Sequence, residues 1–309
     1  MIFVDTLENL PAIENGSVVT MGDFDGLHTG HQVLIREAVE HARENNLLSV
    51  LVTYEPSPKK VLKKIATDSR LTTYREKKEL LRESGLDIVV FYPMTAATIR
   101  ISARTFLRDF LLARLKMQQL IMGHDHHFGH NRRGNARYLQ AAAARYGFGL
   151  CVIAEQMTQE KRTSSSRIRA ALAQGDVQLV AEILGRPYSI TGEVIRGEQH
   201  GRRLGFPTAN LRFDAEKLLP VNGVYYGHAV LADSRSLPAV ANLGKKPTFG
   251  DFALGLEVHI PGFSEDLYGS EICFEFGGHI RGEKKFPDLD TLKMQIREDI
   301  RFAQTKIVL

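Results

Sequence analysis

The chain changes its rhythm once, and that change limits what it can fold into. Through residue 184, short runs rich in Val, Ile and Leu alternate with longer amphipathic stretches. The runs predict strands at 17–21, 48–54, 88–92, 119–122 and 150–154. Between and after them, helices are expected at 31–45, 75–83, 102–115, 136–146, 166–173 and 177–184. Strand–helix alternation implies βαβ units and a mostly parallel sheet. At GRPYSITGEV, from Gly185, a glycine and a proline break the helical pattern. Strand-like runs follow at 189–195, 223–231, 239–243, 256–260 and 271–276, and a last helix is expected at 289–302. Sequential glycine-punctuated strands fit an antiparallel barrel or sandwich. The expected organisation is therefore two domains, 1–184 of α/β class and 185–309 mostly β. The length of 309 residues agrees with two.

Composition removes several function classes. No apolar run has the length of a membrane span. The opening MIFVDTLENL carries Asp5 and Glu8 and lacks the basic start of a signal peptide, which points to the cytoplasm. Cys151 and Cys273 each sit in an apolar run, so they read as buried thiols and exclude a cysteine zinc site. The net charge of +4 suits phosphorylated small molecules. Nucleic acid is the rival partner, but there is no basic tail, zinc finger or RNA-binding aromatic signature. Homo-oligomerisation is left open.

The turn MGDFDGLHTGHQ, 21–32, joins an expected strand to an expected helix. Such βα loops lie at the carboxyl edge of a parallel sheet, where open α/β folds bind ligands. A helix start offers unpaired N–H groups and a positive dipole end, both suited to phosphate. Gly22, Gly26 and Gly30 let the backbone approach a ligand. His28 and His31, three apart, share one side of the first turn. Two imidazoles there can stabilise phosphate oxygens when a nucleophile attacks an α-phosphorus. An H-x-x-H pair also occurs on plain surfaces and in zinc sites, though no third ligand stands at a standard spacing. KRTSSSRIR, 161–169, places a serine run and two arginines at a helix start. It reads either as a second phosphate grip or as a plain N-cap.

Together, HTGH and SSSRIR resemble the nucleotidyltransferase superfamily of class I synthetase-like Rossmann folds. VVTMGDFDGLHTGHQ, YEPSP, GHDHHFGHNRRGN and TSSSRIR, in that order, resemble the adenylyltransferase module of prokaryotic bifunctional riboflavin kinase/FMN adenylyltransferases, the bacterial FAD synthetases. The resemblance implies that His28 and His31 contact ATP phosphates and that Gly22, Asp23, Phe24 and Gly30 line the nucleotide site. It assigns Ser164, Ser165 and Arg169 to the triphosphate. The four histidines of GHDHHFGH suggest a metal. However, the stretch follows an apolar strand and reads as another loop at the sheet edge, with most of its histidines in solvent. In the family this loop contacts nucleotide or flavin, and Asp125, Phe128 and Arg132 fall on its marked positions. His126 replaces the usual aromatic residue. Three further departures are Ser57 for histidine, Asp23 for asparagine and Ser166 for threonine.

GEVIRGEQHGRRLGFPTANL, 192–211, holds Gly197, Gly201 and Gly205 around a polar, basic loop. No G-x-x-x-x-G-K-[ST] segment exists, so this is not a P-loop. Thr208 and Asn210 share a face if the segment is extended, and offer hard oxygen ligands for a magnesium ion bound to ATP. The bland alternative is an ordinary Pro-Thr turn. Glu257, in LEVHIPGFSEDLYG, can take a proton from a hydroxyl or be a surface glutamate. With ANLGKKPTFG and IRGEKKF, these segments closely resemble the riboflavin kinase module. The resemblance implies a small antiparallel barrel with a terminal helix. It also implies Mg²⁺ and ATP on Thr208 and Asn210 with Gly201 and Gly205 beside them, Glu257 as base, and Arg281 near the flavin. The expected function is riboflavin to FMN and FMN to FAD, both with ATP. One rival keeps the kinase and makes the first domain inactive or regulatory. The other is a nucleic-acid-linked synthetase relative.

Overall fold

The computed structural model describes residues 1–62, 69–197, 201, 204–245 and 254–307. The chain divides into two compact units, Met1–Ser164 and Ser165–Leu309.

The first unit is built on a six-stranded, wholly parallel sheet. Its strands are β1 (Ile2–Val4), β2 (Ser17–Met21), β3 (Leu48–Glu55), β4 (Ile88–Pro93), β5 (Met117–Gly123) and β6 (Gly149–Ile153), in the order β1-β4-β3-β2-β5-β6. Every residue of β2 is buried, as a central strand covered on both faces requires. Helix α1 (Thr29–Glu44) turns Ile35, Ala38, Val39 and Ala42 inward. The short α2 (Pro58–Val61) follows β3, and α3 (Tyr74–Arg82) starts from a Thr73/Glu76 capping box. Helix α5 (Ala136–Tyr146) is capped by Asn135 and stopped by Gly147, whose φ of 74° belongs to the left-handed region. From β2 the order runs one way through β3 and β4 and the other way through β5 and β6. The crevice between the carboxyl ends of β2 and β5 is therefore the switch point of the sheet.

The expected helix at 102–115 differs. A turn of α4 (Ala103–Thr105) widens into a π-helix, Phe106–Leu112, where the Ala113 N–H donates to the Arg108 carbonyl. The wider turn keeps Phe106, Leu107, Phe110 and Leu111 buried together, with Phe106 and Phe110 edge-on to Tyr92 at 5.1 and 4.9 Å. β1 and the two-stranded hairpin of β7 (Met157–Thr158) and β8 (Lys161–Arg162) were not legible as strands.

The second unit begins with α6 (Ser165–Gln174) and α7 (Val177–Leu184). Gly185, where the sequence rhythm breaks, is the left-handed C-cap of α7. A closed antiparallel barrel follows in the order β10-β13-β12-β11-β14-β9. Its strands are β9 (Tyr188–Ile195), β10 (Ala209–Phe213), β11 (Gly223–Leu231), β12 (Ser236–Lys245), β13 (Leu254–His259) and β14 (Glu271–Arg281). Closure removes the exposed edges that a sandwich would leave. Tyr225, Ala241, Leu243, Leu256, Phe274 and Phe276 are all buried. On the outer wall, Val224, Tyr226 and Val240 meet Ala303 and Ile307, which ties α8 (Leu289–Lys306) to the barrel.

Candidate active sites

At the switch point, the β2–α1 turn has an unusual backbone. Phe24, Gly26 and Leu27 all take positive φ, at 49°, 86° and 46°. Two of them are bulky, and such residues pay for that conformation. Phe24 is fully buried and packs its ring against His31 at 5.1 Å. It thus supports the histidine pair from below. His28 is the N-cap of α1, its Nδ1 accepting the His31 N–H at 3.3 Å. An accepting Nδ1 leaves the ring proton on Nε2, so that edge is a donor. The two imidazoles stack at 3.6 Å between centroids and 15° between planes.

Burial pushes the His28 pKa down to about 4, against the pull of Asp25. Burial also holds His31 well below its ordinary value, helped by His28 and Lys77. Both rings are neutral at pH 7, and His31 Nδ1 is a buried atom with no partner. Gly30 leaves space beside the pair, because a Cβ there would sit 3.2 Å from His28 Nδ1. The Gly22 N–H continues the strand by donating to the Val52 carbonyl at 3.0 Å. The Asp23 carbonyl accepts from Thr53 Oγ1 at 3.0 Å and Lys77 Nζ at 2.7 Å. The Asp25 carboxylate accepts from the Leu71 and Thr72 N–H groups at 2.9 and 3.3 Å.

The loop after β5 carries the second group. Asp125 pairs with Arg162, whose Nε also reaches Glu155 at 2.8 Å. Both Asp125 and Arg162 act electrostatically on His28. Phe128 is 4% exposed and belongs to the core, packed on Phe106 at 5.7 Å. Its ring lies where any Gly134 side chain would be. Arg132 has φ 57° and donates from Nη2 to His127 Nδ1 at 3.2 Å. His124, His127 and His130 are exposed, as expected of a loop. His126 is half-buried, stacks over Phe128, and has a buried, unpartnered Nε2. Among the described residues no group of three or more His, Cys, Asp or Glu could hold a metal ion. Ser164 ends the first unit, while Ser165 and Arg169 lie one turn apart on α6 of the second.

On the barrel, cross-strand register does the assembling. Asn210 on β10 is opposite Glu257 on β13, which is opposite Asn242 on β12. Directly opposed residues share a face, so these polar side chains form one row. Asn210 is buried, and Thr208 stands two residues before it, just ahead of β10. A Cβ on Gly197 would lie 2.5 Å from Asn210 Nδ2, and one on Gly201 would strike the Phe206 carbonyl. Those glycines make a cradle that no side chain can enter. Gly205 takes φ 88°. His259 Nδ1 donates to the Pro207 carbonyl at 2.7 Å and so ties the PTAN segment to β13.

Arg281 is engaged. Its Nε and Nη2 donate to the Asp299 carboxylate at 2.8–3.1 Å, and Nη1 donates to the Gly282 carbonyl at 3.1 Å. The pair joins β14 to α8. The stretches 198–200, 202–203 and 246–250 of the quoted motifs lie outside the described residues.

Two family models divide the chain between them. One, described as FAD synthetase, matches residues 10–167, and the other, riboflavin kinase, matches 184–307. The chain belongs to the bifunctional riboflavin kinase/FMN adenylyltransferase family. Its relatives of that name include a Haemophilus influenzae protein, 36% identical over 98% of both chains. The Escherichia coli K12 protein is 36% identical over 93% of this chain and 92% of its own. One from Pseudomonas fluorescens is 35% identical over 98% and 97%. A Streptococcus pneumoniae crystal structure described as a macrolide-efflux protein superposes with a TM-score of 0.89 at 27% identity, covering 98% of each chain. Among the described residues here, no helix is long and apolar enough to cross a membrane.

Sequence reasoning found the family's motifs but missed the residues beneath them. Lys77 is 3% exposed and Asp25 9% exposed. A signal for Lys77 existed: it shares the inward stripe of α3 with Leu81.

Proposed function

We propose that this chain makes FMN and then FAD, phosphorylating riboflavin on the barrel unit and adenylylating FMN at the switch point of the parallel sheet. The observation that carries the reading is the stacked, neutral His28/His31 pair at the start of α1, on a chain that spans both family models. Functionally, residues 1–184 are the adenylyltransferase and 185–309 the kinase.

In FAD formation, an FMN phosphate oxygen attacks the α-phosphorus of ATP. The new P–O bond forms as the bond to the β-phosphate oxygen breaks, releasing pyrophosphate. The Nε2–H of His28 is aimed by its capping bond and donates to α-phosphate oxygens as their charge grows. His31 works beside it, held by Phe24. Gly22, Asp23 and Gly30 keep the backbone close to the nucleotide. Ser164, Ser165 and Arg169 supply hydroxyls and a guanidinium to the triphosphate. Asp125 and Arg132 contact nucleotide or flavin, and Phe128 shapes that loop from within the core. Neutral imidazoles suit this task, since each can still donate without the solvation cost of a buried charge.

In FMN formation, Glu257 takes the proton of the ribityl 5′-hydroxyl, whose oxygen attacks the γ-phosphorus and displaces ADP. Thr208 and Asn210 offer hard oxygens beside the Gly197/Gly201 cradle, a donor set that fits Mg²⁺. When bound, that ion neutralises charge on the β- and γ-oxygens. Asn210 and Thr208 would hold it with ATP, Gly201 and Gly205 let the loop approach the phosphates, and His259 fixes the strand. Arg281, through Asp299, sets the end of β14 against α8 near the flavin.

The test is incubation of the chain with riboflavin, ATP and Mg²⁺, followed by timed chromatography. FMN should rise first and FAD follow. FMN without FAD would instead favour an inactive or regulatory first unit.

A further inference from the structure

The adenylyltransferase turn is strained, and something beneath it must hold it. Phe24 and Leu27 sit in the left-handed region without being glycine. Bulky residues stay there only where their surroundings over-determine the backbone. The surroundings are the segment leading into α3. The Asp25 carboxylate takes the Leu71 and Thr72 N–H groups, and Thr72 Oγ1 accepts the Gly26 N–H at 3.1 Å. Beneath the turn lies Lys77, 3% exposed, donating to the Asp23 carbonyl at 2.7 Å and to Thr53 Oγ1 at 3.3 Å. Thr53 itself donates to the same carbonyl at 3.0 Å.

Lysine is almost never fully buried unless its charge is answered. Here the groups that face Lys77 are Asp23 and Asp25 on the turn, Glu55 on β3 and Arg70 ahead of α3. A leucine in that place would complete the inward stripe of α3 without the solvation cost. The ammonium instead marks the one carbonyl at which the chain leaves β2 and bends toward His28.

We propose that Lys77, which touches no substrate, is a positioning residue for adenylyl transfer: its ammonium pins the Asp23 carbonyl and so sets the left-handed turn that aims His28 and His31. The inference rests on the adenylyltransferase reading above. Its charge has a second consequence. Lys77 and His28 are the groups that repel a proton from His31, while Asp25 and Asp125 favour one on His28 and Arg162 opposes it. Burial lowers the Lys77 pKa itself.

The wild-type chain is first given FMN, ATP and Mg²⁺; failure to make FAD there sinks the adenylyltransferase reading and is separate from what the variants report. Lys77→Met keeps the length and removes the charge. It is expected to lower kcat for FAD formation about 10- to 100-fold, since small misplacements of reacting groups cost that much. KM for FMN should change by less than about threefold, and FMN formation from riboflavin in the same chain should stay within about twofold. The acid limb of the FAD rate should move to higher pH in Lys77→Met and stay in place in Lys77→Arg. A Lys77→Met kcat within about threefold of wild type overturns the proposal, and so does a lost rate with an unmoved acid limb. If Lys77→Met does not fold, Thr53→Val decides. This isosteric change removes the Thr53 donor from the Asp23 carbonyl. A kcat about 3- to 10-fold down with unchanged melting supports the proposal, and an unchanged kcat overturns it.

Discussion

His28 has two jobs, and one substitution can separate them. As N-cap it accepts the His31 N–H, and in the proposed reaction its Nε2–H donates to the α-phosphate. Asparagine is among the best N-caps, so His28→Asn keeps the first job and shortens the second away. Both His28→Asn and His28→Ala lose the 3.6 Å stack on His31, a loss of roughly 0.5–1.5 kcal/mol. Alanine also loses the cap, so it should be less stable than asparagine by about 1 kcal/mol. Removing one preorganised donor to a developing oxyanion costs about 10²–10³ in rate, or roughly 2.7–4 kcal/mol of transition-state stabilisation. His28→Asn should therefore lose that much FAD turnover while FMN formation from riboflavin continues. The assay is chromatographic: FMN and ATP for the first activity, riboflavin and ATP for the second, with thermal melts of all three proteins. A His28→Asn chain that makes FAD at nearly the wild-type rate would refute the donor role. Equal melting of the asparagine and alanine variants would refute the cap.

Other consequences follow from the same geometry. The folded first unit refuses a proton on His28 until about pH 4, whereas the unfolded chain takes it near 6.5. Stability should thus be full above pH 6.5 and fall toward pH 4, by up to about 1.4 kcal/mol per pH unit for each such imidazole. Urea midpoints at pH 7 and 5 check this, with a smaller difference expected in His28→Asn; equal differences contradict it. Glu257→Gln should keep the barrel folded and lose FMN formation by about 10²-fold or more, with FAD formation from supplied FMN intact. Near-normal FMN output would remove Glu257 from the role of base. Asp299→Asn leaves the half-buried Arg281 guanidinium without its counter-charge, at a cost of about 3 kcal/mol. A calorimetric scan should show the barrel transition lowered by roughly 10 °C.

The sequence made the scaffold readable where periodicity is strong and local. β2, α5, α7 and β11 begin and end where the alternation of apolar residues says they should. Gly185 was legible as a break because a left-handed C-cap needs such a residue. The histidine pair was legible as neighbours from its spacing, because three residues make nearly one helical turn, while its role came with the family resemblance. What escaped depends on contacts distant in sequence. β1 has three residues and forms only by pairing with β4, 84 or more positions away. The π-helix answers to aromatic packing on Tyr92, which local propensity does not encode. Lys77 is one of two adjacent lysines in YREKKELLR, and only the fold brings the Asp23 carbonyl over it. Phe128 shows the converse: its position in a motif was readable, but its ring lies in the core. Arg281 likewise stands on a readable position with its guanidinium committed to Asp299.

The central claim is that the two units work on different phosphorus atoms of ATP. Riboflavin, Mg²⁺ and ATP labelled at either the α- or the γ-phosphorus give the most direct test. The γ-label should enter FMN and remain in FAD, while the α-label should be absent from FMN and present in FAD. An α-label found in no flavin, or found in FMN, would contradict the account.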